Sequence, residues 1–328
     1  MCVSVEMTPV DDSLHTPCVL KEQILKDTDN DIPCVETKNT ASPKRIQDNG
    51  TEEISVPFDL IIRNPHLKKD EEFYNILHWN MNGVRARLRD GSFWQALQGH
   101  DILCITEFRC PRKEFLRKKD VRQRLKSLGF LYWATHASTA NKGYAGVCVI
   151  SKVPFSYVES GVGDPELDKE GHLVMAHFEN FTLVVGYLPN SGKKGELVRL
   201  AKRTRFNISL ASRLGELRSD YVFVGDLNVI LSDDRAQGGL THTHWQEHPG
   251  CHETEISDLN SLIKKSGLTD LQQHEGVQGH TFTCTCQGRP GFSCVLDYVL
   301  VSKNLIMTGM VRGYQLLNHL TTSDHVPQ

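Results

Sequence analysis

Nine short apolar, β-rich runs recur from Phe73 onward: YNILHWN, DILCITE, FLYWAT, GVCVIS, LVMAHF, FTLVVGYL, YVFVGDLN, HTFTCTC and VLDYVLVS. Turn residues surround them. Runs this apolar read as strands buried in a large sheet core. Helical spacing fits three intervening stretches. The first is 112–128, with Phe115, Val121, Leu125 and Leu128 as its apolar positions. The second is 195–217, with Leu197, Leu200, Phe206, Leu210 and Leu214. The third is 255–266. Many strands and few helices predict sheets packed on each other with helices outside, not a simple alternating βα fold.

The chain has 328 residues, enough to bury a sizeable core. Residues 1–70 lack any sustained period and are dominated by Asp, Thr, Glu, Pro and Ser, so they read as an acidic, disordered tail. Residues 1–72 hold 15 acidic and 8 basic side chains, a net of −7. The other 256 hold 25 acidic and 29 basic, a net of +4. A mildly basic body is compatible with a polyanionic substrate. Pro43-Lys44-Arg45 is too short to establish a nuclear signal. No apolar run reaches the length of a membrane span, and the first residues do not read as a secretory leader. The ten cysteines include no CxxC pair, which fits reduced thiols in the cytosol or nucleus. Cys284 and Cys286 read as strand residues rather than a zinc site.

Polar residues interrupt the apolar runs at five places, each at or just past a strand end. They are Asn80 and Asn82; Glu107; Tyr187 and Asn190; Asp226 and Asn228; and Asp297 with Asp324 and His325. Singly, each is explained by a turn, a cap or a solvated strand end. Together they form an oxygen-rich set with one imidazole, the ligand chemistry of a hard divalent cation such as Mg²⁺ rather than of zinc. The amides and His325 can donate to phosphate oxygens, and a carboxylate or imidazole can take a proton from water.

These segments, WNMNG, DILCITE, GDLNV, LDYVLVS and SDHVP, resemble in order the motifs of the endonuclease/exonuclease/phosphatase superfamily. YLPNSG, VRLAKRTRF, GYAGVCVISK and the EGH at 170–172 look like its exonuclease III-like apurinic/apyrimidinic (AP) endonuclease branch, where EGR is usual. The likeness runs from about Tyr74 onward. It implies an α+β fold: a four-layer α/β/β/α, DNase I-like sandwich of two packed mixed β-sheets flanked by helices, with a catalytic domain over 71–328. It implies a Mg²⁺-dependent hydrolase, with Mn²⁺ able to substitute. The activity implied is incision of double-stranded DNA at abasic sites in base excision repair, with 3′-5′ exonuclease or 3′-phosphodiesterase activity as an accompaniment. By position, Glu107 binds the metal with Asn82 and Asp324 nearby. Asp226 orients or deprotonates water, and Asn228 helps align it. His325, paired with Asp297, contacts the scissile phosphate, and either Asp226 or His325 could be the base. Tyr187 and Asn190 contact the phosphate, and Asn80 supports the site. Arg109 and Phe282 are assigned to substrate binding. The function further implies a monomer in the nucleus, with an organelle as the alternative, no secretion and no membrane partner.

Several positions depart from the family pattern. Thr106 replaces Gln before Glu107, and Arg109 replaces the usual Lys. Thr283 and Cys294 stand where aromatics usually line the abasic-sugar pocket, leaving Phe282. Residues 109–126 carry nine basic and two acidic side chains, either a solvated helix face or a phosphate-tracking surface. The His-rich stretch 242–252 reads as a solvated loop. The family normally continues past S-D-H-x-P into a final core strand, and the domain is expected to lack it. Two alternatives stand beside the lead reading: a catalytically weak nucleic-acid-binding relative, and a phosphodiesterase acting on another substrate.

Overall fold

The computed structural model describes residues 60–63, 73–192, 195–237, 249–274, 282–285 and 293–328. Pro43-Lys44-Arg45, the His-rich positions 242–248 and Cys286 lie outside them.

Two sheets form the centre. The first contains β1 (Leu60–Arg63), β2 (Phe73–Asn80), β3 (Ile102–Thr106), β4 (Tyr132–His136) and β5 (Val147–Ser151), in the order β1-β2-β3-β5-β4. The second contains β6 (Tyr157–Ser160), β7 (Leu173–His177), β8 (Thr182–Tyr187), β9 (Tyr221–Asp226), β11 (Leu268–Asp270) and β14 (Asp297–Ser302), in the order β11-β14-β9-β8-β7-β6. Both are mixed: β2 and β3 run parallel, as do β8 and β9, while the other pairs are antiparallel. A small third sheet joins β10 (Ala236–Gln237), β12 (Cys284–Thr285) and β13 (Ser293–Cys294).

The alternation of side chains along each strand builds three apolar layers. Ile76, Ile102, Cys104, Val147 and Val149 of the first sheet meet Val174, Leu183, Val185, Val222, Val224 and Val299 of the second. The intervening residues face outward. Leu77, Leu103, Ile105 and Ile150 pack under α1 (Val84–Asp90), α2 (Ser92–Ala96), α3 (Arg112–Arg117) and α4 (Lys119–Ser127). Met175, Val184, Phe223 and Leu300 pack under α6 (Leu197–Gly215) and α7 (Glu253–Lys265). Both faces of each sheet are therefore covered, which is why the strands read as continuous apolar runs. The result is the expected four-layer sandwich. Three short α-helices, α5 (Pro165–Asp168), α8 (Leu271–His274) and α9 (Lys303–Met307), and a 3₁₀ turn at Asp233–Arg235 make up the remaining described helices.

Some local expectations need adjustment. The stretch 112–128 forms two helices broken at Lys118, whose backbone is extended (φ −73°, ψ 98°). Phe115 and Val121 would sit roughly 120° apart around one continuous helix at about 100° per residue. The break resets the phase so that both enter the same core. Leu128 and Leu197, taken as apolar helix positions, are exposed. Leu60–Arg63, within the stretch assigned to the tail, pairs with β2 at Phe73–Ile76. Further along β2, Gln328 exchanges both backbone hydrogen bonds with His78, at 2.6 and 2.8 Å.

Candidate active site

The polar strand ends converge at one edge of the sandwich. Register places Asp297 opposite Asp226 between β14 and β9, Tyr187 opposite Asp226 between β8 and β9, and Asn80 opposite Thr106 between β2 and β3. Strands β8 and β9 approach closely here. A Cβ on Gly225 would lie 1.9 Å from Gly186 O, so this glycine is required just before Asp226.

Asp226 is 2% exposed. Its Oδ2 accepts from Asn80 Nδ2 at 2.9 Å and its Oδ1 from the Asn228 backbone N–H at 3.0 Å. Asn228 Nδ2 donates to Leu188 O at 2.9 Å, and Asn190 Nδ2 donates to Asn228 Oδ1 at 3.4 Å. His325 Nδ1 lies 2.7 Å from Asp297 Oδ2, and its Nε2 lies 3.9 Å from Asp226 Oδ2. Asp226, Asp297 and His325 present ligand atoms within 4.8 Å of one another, a spacing that suits a metal ion only with His325 neutral.

Across this group lie Asn82, Glu107 and Asp324. Asn82 Nδ2 donates to Asp324 Oδ1 at 3.0 Å, and the Asn82 N–H donates to Asn80 Oδ1 at 3.0 Å. Glu107 Oε2 is buried and makes no hydrogen bond, although the Arg109 guanidinium forms an ion pair with it. Arg109 thus faces the very carboxylate assigned to the metal. Phe282 is half-buried against the outer core of the second sheet.

Burial shapes the electrostatics. It pushes the Asp226 carboxyl up to about 7, the Asp297 charge adds to this, and His325 opposes it. Burial alone would lower His325, but Asp297 outweighs it and holds the imidazole well above its ordinary value, so it is cationic near neutrality. Tyr187 is raised well above the phenol range by burial, then by Glu107 and Asp226. It is therefore a hydrogen-bond donor.

Among the described residues, five non-glycine positions adopt positive φ: Asn82 (47°), Glu107 (50°), Arg109 (49°), Ala145 (46°) and Asn228 (51°). Four are sequence candidates. Ala145 is the fifth, and its carbonyl accepts from the Arg109 N–H at 2.9 Å. Such conformations are costly and cluster at functional sites.

Other contributors carry no catalytic signature in sequence. Thr283 is fully buried, and its Oγ1 accepts from the Leu296 and Asp297 N–H groups at 3.0 and 3.1 Å. It fixes the approach to Asp297 from a position read as part of a substrate pocket. Ser323 Oγ donates to Asn80 O at 2.8 Å, and Trp79 Nε1 donates to His325 O at 3.0 Å. These bonds tie the His325 segment to β2.

Residues 77–325 match the Endonuclease/Exonuclease/phosphatase family. The chain is similar to DNA repair nuclease APEX1 of Danio rerio, at 35% identity over 260 residues, covering 77% of this chain and 80% of that protein. It is similar to Recombination repair protein 1 of Drosophila melanogaster, at 30% identity over 270 residues, covering 80% of this chain but 37% of that protein. Among solved structures, the AP endonuclease of Leishmania major shares the fold with a TM-score of 0.63 at 21% identity, covering 77% of this chain and 86% of that one.

Proposed function

The chain belongs to the Endonuclease/Exonuclease/phosphatase family, and we propose that within it the protein hydrolyses the DNA backbone at abasic sites. The observation that carries this reading is one cluster: Asp226 held by Asn80 and Asn228, beside the Asp297–His325 pair and facing Glu107, Asn82 and Asp324. Similarity to a DNA repair nuclease over most of its length supports the choice of substrate. Accompanying 3′-exonuclease or 3′-phosphodiesterase activity, and a nuclear location, belong to the same proposal. Among the described residues no helix is long and apolar enough to cross a membrane.

The residues fit a hard cation by the chemistry of their donors: Glu107 and Asp324 offer carboxylate oxygens and Asn82 an amide, with the buried Glu107 Oε2 paired to the Arg109 guanidinium that a bound cation would have to displace. Glu107, Asp324 and Asn82 would hold Mg²⁺, with Mn²⁺ able to substitute. The ion would supply positive charge against the phosphate oxygens. Asp226 orients the attacking water and accepts its proton, since the cationic His325 has no lone pair with which to do so. Asn228 aligns that water. His325 Nε2 and the amide of Asn190 donate to the scissile phosphate, and Tyr187 donates to the developing charge. Asp297 keeps His325 cationic. Arg109 and Phe282 touch the substrate beside the cut.

A duplex with one abasic site tests the proposal. Cutting should require Mg²⁺, stop with EDTA, and be lost in Glu107→Ala. A protein that binds this duplex but leaves it intact at every Mg²⁺ concentration is instead a binding relative or acts on another phosphodiester.

A further inference from the structure

We propose that Arg203 is a positioning residue that sets the spacing between two active-site loops. One loop carries Asn190 and follows β8. The other carries Asn228 and follows β9. The kinetic consequence rests on the phosphodiesterase reading above; the clamp itself rests on geometry alone.

Arg203 lies on α6 and is 0% exposed. Its Nη1 donates to Pro189 O at 2.8 Å, and its Nη2 donates to Leu227 O at 2.8 Å. Its Nε donates to Asn207 Oδ1 at 2.9 Å, one helical turn on, which fixes the plane of the fork. Pro189 precedes Asn190, and Leu227 lies between Asp226 and Asn228. A guanidinium presents rigid, coplanar donors, so it can hold two acceptors at a set separation; a single ammonium on a flexible stem cannot.

The loops are joined again on the side facing the site. Asn228 Nδ2 bonds Leu188 O, Asn190 Nδ2 bonds Asn228 Oδ1, and the Leu188 N–H donates to Asp226 O at 2.9 Å. Arg203 closes from behind what the asparagines close in front. Glu255 reinforces the arrangement. It is fully buried, accepts from Ser191 Oγ at 2.8 Å on the first loop, and offsets the burial of Arg203 through space. Core packing does not explain this guanidinium. An apolar side chain would fill the volume without the desolvation cost, whereas these donors end on loop carbonyls beside Asn190 and Asn228.

The test compares the parent with Arg203→Lys, which keeps the charge and loses the fork, and with Leu210→Ala, a packing change on the same helix. Amide hydrogen exchange of the metal-free full chain is read at 188–192 and 227–230. Faster exchange at both loops in Arg203→Lys, absent in Leu210→Ala, is expected. Unchanged exchange at either loop, or equal acceleration in Leu210→Ala, overturns the clamp. On the abasic duplex, Arg203→Lys should lower kcat 10- to 100-fold with Kd changed less than threefold, on the order seen for misplaced reacting groups. If Arg203→Lys cannot be purified folded, Asn207→Ala replaces it and should loosen the same two loops to a smaller degree. A parent that leaves abasic DNA uncut overturns the activity reading, while the exchange data still decide the clamp.

Discussion

His325 Nδ1 lies 2.7 Å from Asp297 Oδ2, with both side chains buried. The carboxylate keeps the imidazole protonated and turns Nε2 into a donor toward the site. Asp297→Asn removes that charge. We expect the His325 pKa, followed by NMR, to fall from its raised position. We also expect kcat to drop by about 100-fold, as when one charge-stabilising group is lost. An unchanged kcat would remove His325 from the chemistry.

Asp226 should leave its mark on the pH profile. It must be ionised to accept a proton, and burial pushes its carboxyl up to about 7. Activity should therefore rise tenfold per pH unit on the acid side and level off above the Asp226 pKa. Magnesium should move that limb to lower pH, because the Glu107 charge that helps raise Asp226 is then offset. Asp226→Asn should abolish the limb and cost about 10²- to 10⁴-fold in rate. A flat profile between pH 5 and 8 would point to another base.

His78 predicts an acid-labile fold. Burial lowers its pKa from 6.5 to about 4, so the folded protein holds it neutral. The unfolded chain takes up the proton first as pH falls. Stability contributed by neutral His78 is thus fully present above 6.5, declines below it, and is gone below about 4. The span corresponds to about 3 kcal/mol. Urea unfolding of the parent and His78→Leu across this range should show a shallower decline in the variant. Parallel curves would exclude His78 as a source.

The exposed Lys118, Lys119 and Arg122 near the break between α3 and α4 offer a salt-dependent test. If they track phosphates, reversing all three to Glu should weaken duplex binding. It should also flatten the slope of log K against log salt by about 2 to 3, near 0.9 per lost contact. Equal affinity at low salt would make this a solvated helix face.

Thr283→Val should leave the buried N–H of Asp297 and the part-buried N–H of Leu296 without their acceptor. A stability loss of about 1–3 kcal/mol is expected in chemical denaturation. Full stability would mean that the β13–β14 connection does not depend on this hydroxyl.

The layered fold was legible because both faces of each sheet are covered, so runs such as LVMAHF and YVFVGD stand out as apolar. The same coverage hid which residues face which layer: Val224 points into the sandwich and Phe223 away from it, yet they look alike in sequence. Catalytic candidates were legible where a carboxylate or amide ends an apolar run, as at Asp226 and Glu107. Thr283 and Arg203 were not. Their roles depend on backbone groups of Asp297, Pro189 and Leu227, and backbone partners leave no trace in residue type. The division of 112–128 at Lys118 was equally hidden, since it follows from the phase of Phe115 against Val121.

The bond from the Trp79 indole to the His325 carbonyl joins residues 246 positions apart. The proposed catalytic cluster is likewise split between the two sheets, with Glu107 following β3 and Asp226 ending β9. A nascent chain on the ribosome therefore carries the proposed site in separate pieces. Until the last of these segments has emerged and docked, the cluster proposed to act on a phosphodiester is not assembled.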